Sequence, residues 1–294
     1  MIEKRTVPQQ IIDVIIRIIL ILLALSCLIP LVYNLAVSLS SSAAAEAGLV
    51  YFWPVGFTLQ AYRQIVADWA FANAFWVSVQ RVFLALLVVL PTLTLAAYPL
   101  AKHKEEFPVR NVILWILVFC MIFSGGVIPW FVVMRNYGLM NSTFGLAIAG
   151  GIPVFHLILM VNFFQAIPKE MEEAAMVDGA NPWYILWNIV VPLSKPVLAT
   201  IALFTIVHHW NEFFQGLVLS TMAQHFPLQT HINQLVVTID ATQMTAEQIR
   251  EMALLSNRTL NAAKIFVSLI PVLCIYPFLQ KYFVTGITLG GVKE

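Results

Sequence analysis

The 294-residue sequence predicts an all-α polytopic membrane protein with six transmembrane helices, on three observations. Hydrophobic residues make up 60% of the chain and charged ones 11%, with a mean hydropathy of +0.85. Soluble domains run nearer half apolar and a quarter charged, so this apolar surface exceeds what one soluble core can bury. The charges also bracket uncharged runs of the length that crosses a bilayer, about 20 apolar residues. Backbone groups in lipid must pair within their own segment, which makes these runs helices rather than strands.

The first run lies between Arg17 and Glu46, the second between Arg81 and Lys102, and the third between Arg110 and Arg135. The fourth lies between Arg135 and Lys169, and the fifth starts at Lys195 and continues past Glu212. The sixth, bracketed by Lys264 and Lys281, is short, but a snorkelling Lys264 extends it to Leu260–Tyr282. The small residues Ser41 to Ala47 after a basic start resemble a signal cleavage site. The uncharged stretch before them is nearly twice a signal core of about 7–15 residues, so it is kept as a helix. The expected organisation is an N-terminal segment 1–10, a first helix and outer loop 11–72, a five-helix core 73–283 and a tail 284–294.

Lysine and arginine set the orientation. With the N-terminus inside, Lys4, Arg5, Arg17, Lys102, Lys104, Arg110, Lys169, Lys195, Lys281 and Lys293 face the cytoplasm. Arg63, Arg81, Arg135, Arg250, Arg258 and Lys264 face out. Residues 169–195 are then cytoplasmic, and 46–72 and 223–259 external. The net charge of +1 gives no basic field for nucleic acid. Cys27, Cys120 and Cys274 sit in apolar runs as small hydrophobes, without a CxxC pattern.

The stretch EEAAMVDGANPWYILWNIVVP, Glu172 to Pro192, breaks the apolar pattern. Pro168 suits a helix start, and Glu170, Glu172 and Glu173 crowd the first turn, where the helix dipole favours anions. Gly179 supplies a left-handed stop. Asn181-Pro182 restarts the chain, and a second short helix from Trp183 ends at Pro192. Ala174 and Ala175 leave one side of the first helix bare, the geometry of a docking knob. A structured loop without a partner is the plain alternative.

Glu173-Ala174-Ala175, Gly179, Ile189 and Pro192 resemble the EAA motif of the integral-membrane subunits of binding-protein-dependent ABC importers. The family pattern ends Ile-x-Leu-Pro, and here it reads Ile189-Val190-Val191-Pro192. FSGGVIPWFVVMRNYGLMNSTFGLAI (Phe123 to Ile148), FFQAIPKEMEEAAMVDGA, HHWNEFF with FPLQT, and QKYFVTGITLGGVKE are similar to segments of the carbohydrate-uptake permeases. The similarity covers Asn73 to the end. Phe123-Ser124-Gly125-Gly126 with the following Ile-Pro is closest to permeases for oligosaccharides and polysaccharide fragments, such as the alginate importer. The resemblance implies a type I ABC importer permease fold and no enzymatic activity. It implies a coupling helix built on those motif residues, a second permease subunit, two cytoplasmic ATPases and a periplasmic or tethered solute-binding protein. It implies no cofactor in this chain, ATP and Mg being held by the ATPase, and a bacterial inner membrane.

His208, Asn211, Glu212 and Gln215, with Thr205 one turn earlier, fall on one polar face of a fifth helix. A charge in mid-span costs about 2.5–3.5 kcal/mol on insertion scales, so the face meets a wet path or another subunit. It reads as a wall of the translocation pathway or as a packing patch. A metalloenzyme site on His208, His209 and Glu212 is the rival from another class, and a stand-alone carrier or channel a third reading. Gly125 and Gly126 with Ser124 interrupt the third helix, either lining a cavity or starting a loop. Arg81 snorkels or pairs inside the bundle. Asn141-Ser142-Thr143 matches a glycosylation sequon that a bacterial inner-membrane protein would not use. The chain has no G-x-x-x-x-G-K-[ST] phosphate loop and no nucleophile–base arrangement. The sequence points to half of a sugar import pathway, for an oligosaccharide that the resemblance suggests is acidic and alginate-like.

Overall fold

The computed structural model describes residues 7–237 and 258–291, and the described residues are helices joined by turns, without strands. Most of the expected outer loop 223–259, residues 238–257 with Arg250, lies outside them, as do Lys4, Arg5 and Lys293. The chain divides into two compact units, residues 1–69 with 235–269 and residues 70–234 with 270–294.

The first unit holds α1 (Val7–Ser38), α2 (Ser42–Glu46), α3 (Gln60–Ala67) and the start of the last helix, α14 (Arg258–Gly291). Ala36, Val37, Ala44, Ala45, Val50 and Ala262 form its small core. Several of its polar groups are paired. Lys264 Nζ donates to Asp68 Oδ2 at 2.7 Å, Arg258 donates to Ala45 O and Tyr33 Oη, and Asn34 Nδ2 donates to Ala262 O. Lys264 therefore does not snorkel. It is 5% exposed, and a buried ammonium needs the carboxylate it meets.

The second unit is built on α4 (Trp69–Ala101), α5 (Arg110–Ile122), α6 (Val127–Asn136), α7 (Thr143–Ile148) and α8 (Val154–Gln165). Its later helices are α9 (Lys169–Val177), α10 (Pro182–Leu193), α11 (Lys195–Asn211), α12 (Phe214–Leu219) and α13 (Leu228–Val237). Its main core joins Leu93 and Ala97 of α4, Met160 and Phe164 of α8, Ile185 and Val190 of α10, and Ile201 of α11. Lipid is as apolar as these side chains, so close packing rather than escape from water holds this core. Thr94, Thr200 and Thr205 return their hydroxyls to carbonyls four residues back, which satisfies them inside apolar surroundings.

Ile11–Ser38, Trp69–Ala101 and Arg258–Ile275 are each long and apolar enough to cross a membrane, and Val154–Gln165 is a shorter apolar helix. The other two apolar runs are bent pairs, α5 with α6 at 111° and α10 with α11 at 77°. Among the described residues, length and composition give three spans, or up to five with each pair taken as one, against the six expected. The third run bends because Phe123 is extended and Gly126 stands at φ +85°, which takes the chain out of the helix over four residues. The fourth run breaks at Gly150-Gly151 before Pro153, leaving α8 only 12 residues. The sixth continues as helix through the expected tail to Gly291.

Candidate functional site

The helix–turn–helix expected between Glu172 and Pro192 is present. α9 follows Pro168 and carries Glu170 and Glu172 in its first turn. It ends with two backbone bonds, Ala180 N to Ala175 O at 2.9 Å and Gly179 N to Met176 O at 3.0 Å. Gly179 stands at φ +82°. This pairing is a Schellman turn, which satisfies the last carbonyls of the helix and requires a left-handed residue. Asn181 Oδ1 then accepts the N–H of Tyr184 at 2.8 Å, with Pro182 in the first turn of α10.

The second helix does not stop at Pro192. It runs to Leu193 and bends at Ser194. Proline lacks an N–H, and its ring clashes with the carbonyl four residues back. The chain absorbs this with a π-helical turn over Leu186–Val190, in which the N–H of Val191 reaches Leu186 O.

The motif residues divide by exposure. Glu173, Ala174, Gly179 and Pro192 are exposed. Ala175 and Ile189 are half-buried and pack on the core of their own unit. The bare side is thus shared: Ala174 faces out, whereas Ala175 is small because its own helices crowd it. Exposed apolar groups that the motif did not mark surround the turn, Val177 at 87% and Trp183 at 63%.

The hairpin is tied to α4. Lys102 Nζ donates to Glu172 Oε2 and lies 4.5 Å from the centre of the Tyr98 ring. Partial burial pulls the Lys102 ammonium down, but the hydrogen bond and charge of Glu172, helped by Tyr98, outweigh it and hold it above the usual lysine value. A polar cavity of about 630 Å³ opens beside this pair, lined by His103, Glu106, Arg110 and Lys169 among others.

The polar stripe expected on a continuous fifth helix is corrected. α11 ends at Asn211, Glu212 is extended at φ −75° and ψ 116°, and Gln215 belongs to α12. Two groups hold this break. Glu212 Oε1 accepts the N–H of Gln215 at 3.1 Å, a side-chain cap for α12. Fully buried Arg81 donates through Nη1 to Glu212 O at 3.0 Å and through Nη2 to Gln215 Oε1. Arg81 therefore pairs inside the bundle and does not snorkel.

Thr205 and His208 line a cavity of about 430 Å³ with His156, His209, Phe204 and Gly150. A Cβ on Gly150 would lie 3.7 Å from both His208 Nε2 and Gln215 Nε2, so those side chains converge on this wall. The His156 ring stacks on Phe204, centroids 5.3 Å apart. Buried Nδ1 atoms of His156 and His209 and Oε2 of Glu212 have no hydrogen-bond partner. Asn211 instead returns its amide to Val207 O, and Gly125 and Gly126 are exposed at the α5–α6 break and do not line this cavity. The metalloenzyme alternative finds no support: among the described residues no group of three or more His, Cys, Asp or Glu side chains could hold a metal. Sequence reading missed His156, whose signal is only a lone histidine in an apolar run. It also missed the work of the sequon. Asn141, at φ +53°, accepts from Thr221 N at 2.7 Å, and Ser142 caps α7.

Comparison with known proteins places this architecture. The family model "Binding-protein-dependent transport system inner membrane component" matches residues 5–289. Protein LplC of Bacillus subtilis (strain 168) is 35% identical over 90% of this chain and 89% of its own. The polygalacturonan/rhamnogalacturonan transport system permease protein YtcP of the same organism is 34% identical over 97% of this chain and 99% of its own. A crystal structure of a bacterial ABC transporter involved in the import of the acidic polysaccharide alginate contains a chain that superposes with TM-score 0.80 at 35% identity. The match covers 95% of this chain and 99% of that one. The fold is that of an ABC importer permease, a transport component and not an enzyme. With the family model matched over nearly its whole length, the chain belongs to the inner-membrane components of binding-protein-dependent transport systems.

Proposed function

We propose that this chain forms half of the membrane pathway of an ATP-driven importer for oligosaccharides released from acidic polysaccharides. The observation that carries the reading is the Schellman-turned hairpin at Gly179, which presents Ala174, Val177 and Trp183 outward while Lys102 ties it to α4. A rigid knob anchored to a long membrane helix suits transmission of force from a cytoplasmic ATPase. ATP and Mg²⁺ belong to that ATPase, since this chain has no phosphate-binding loop. A second permease subunit completes the pathway, and a solute-binding protein delivers the sugar. Both termini and the hairpin face the cytoplasm, in line with the excess of Lys and Arg on that side.

The 430 Å³ cavity is the stretch of pathway wall on this chain. The unpartnered nitrogens of His156 and His209 suit sugar hydroxyls, and the Phe204–His156 stack offers a flat face to a ring. The acidic preference is supported by the substrates named for the polygalacturonan/rhamnogalacturonan permease and the alginate transporter. The test is uptake by the assembled transporter in vesicles, with oligogalacturonates and oligoalginates set against neutral oligosaccharides of equal length. Uptake of the acidic sugars that requires ATP and binding protein is expected. Uptake without the ATPase, or labelling of a Met176→Cys variant from outside sealed cells, contradicts the reading.

A further inference from the structure

Between Glu46 and Arg63 the chain carries no charge, and the middle of that stretch, LVYFWPVGFTL (residues 49–59), is aromatic and apolar. It is not buried. Trp53 is 82% exposed, Tyr51 71% and Phe57 67%, with Phe52 exposed beside them. We propose that this loop is a membrane-interface anchor whose aromatic side chains sit in the lipid headgroup region around the C-terminal end of α1, the outer leaflet in the orientation given above.

Three observations within the first unit support it. The first is depth. From Ile18, just after Arg17, to Val37 is 20 residues without a charge, about 30 Å of helix, the thickness of the hydrocarbon core. The most apolar part of Ile11–Ser38 buries no residue within this chain, as suits a segment at hydrocarbon depth. Ser38 to Ser42 then fall at the interface.

The second is that the loop is fixed at that depth. Ser41 N donates to Val55 O at 3.0 Å, Thr58 N to Leu39 O at 2.9 Å, and Val55 N to Ser40 Oγ at 3.0 Å. Val50 is buried against Ala36, Val37 and Ala45. Gly56 stands at φ +65°, and a Cβ on it would lie 2.8 Å from Ser41 Oγ, so the loop folds tightly onto the end of α1. The third is chemistry. Tryptophan and tyrosine are the residues that settle at membrane–water boundaries, where one end of the ring is wet and the other apolar, and the phenylalanines add apolar surface beside them. A soluble partner that docks and leaves would return this patch to water in every cycle. A bilayer covers it throughout.

The test places a spin label on the full chain in its assembled transporter, in phosphatidylethanolamine/phosphatidylglycerol vesicles. Phe52→Cys, Trp53→Cys and the reference Glu46→Cys are made in a background without Cys27, Cys120 and Cys274. Oxygen collisions are expected to exceed those of a water-soluble nickel chelate at 52 and 53, and the reverse at 46. Greater access to nickel at 52 and 53 overturns the proposal in favour of a solvated loop. Protection from both reagents overturns it in favour of a protein partner. Should the labelled variants not assemble, quenching by brominated lipid is read as the difference between wild type and Trp53→Phe. A Trp53 signal that brominated lipid leaves untouched overturns the proposal equally.

Discussion

Arg81 and Glu212, separated by 131 positions, meet where Arg81 Nη1 donates to the main-chain oxygen of Glu212 at 3.0 Å. The same guanidinium holds Gln215, so one buried cation fixes both sides of the break between α11 and α12. Replacing Arg81 by Met leaves the main-chain oxygen of Glu212 and Gln215 Oε1 without their donor. A hydrogen bond to a charged group contributes about 1.5–3 kcal/mol. Arg81→Met is therefore expected to lower the thermal midpoint of the assembled transporter, and adding Gln215→Leu to restore part of it. A double variant no more stable than Arg81→Met would show that Arg81 and Gln215 are not coupled.

The pair Lys102–Glu172 gives a pH signature. Lys102 is held above its usual value in the folded protein. The stability it contributes is then fully present below the ordinary lysine value, about 10.4, and is lost as pH rises through the higher folded value. The pair is partly solvated, so the difference between wild type and Glu172→Gln should be about 0.5–1 kcal/mol. Thermal unfolding from pH 7 to 9 is expected to show a constant difference, which closes above about pH 10.4. A difference that grows with pH contradicts this assignment.

His208 and Thr205 line the same cavity with different commitments. The Thr205 hydroxyl already serves Ile201 O at 2.8 Å, whereas no comparable bond holds the His208 ring among the described residues. His208→Leu is expected to lower sugar uptake about 3–10-fold, the loss of one hydrogen bond of about 0.5–1.5 kcal/mol. Thr205→Val should stay near wild type. Equal effects of the two would mean that the cavity is packing space and not pathway.

What the sequence revealed follows from how local each signal is. Gly179, Asn181 and Pro182 were legible because a left-handed stop, an N-cap and a first-turn proline are chosen by their own residue types within four positions. The apolar runs were legible for the same reason. The helix break at Glu212 was not: Asn211-Glu212-Phe213 contains neither glycine nor proline, and the groups that hold it include an arginine from α4. The Lys264–Asp68 pair spans 196 positions and was equally hidden. Ala175 looked like part of a docking face because size can be read from sequence, but the direction it faces depends on the packing of α9 against the core.

Gly179→Val tests the coupling most directly. A Cβ there would meet no atom within 4 Å, so space is not the constraint. Only φ +82° is, and a β-branched residue in the left-handed region costs about 1–2 kcal/mol, whereas asparagine is tolerated. The measurement follows ATP hydrolysis and sugar uptake together, in vesicles holding the assembled transporter and its binding protein. Gly179→Val is expected to insert and pair with its partner permease, yet to associate weakly with the ATPase and move much less sugar per ATP. Gly179→Asn should remain close to wild type. If Gly179→Val associates with the ATPase and transports at the wild-type ratio, the hairpin does not carry the coupling and the account fails at its centre.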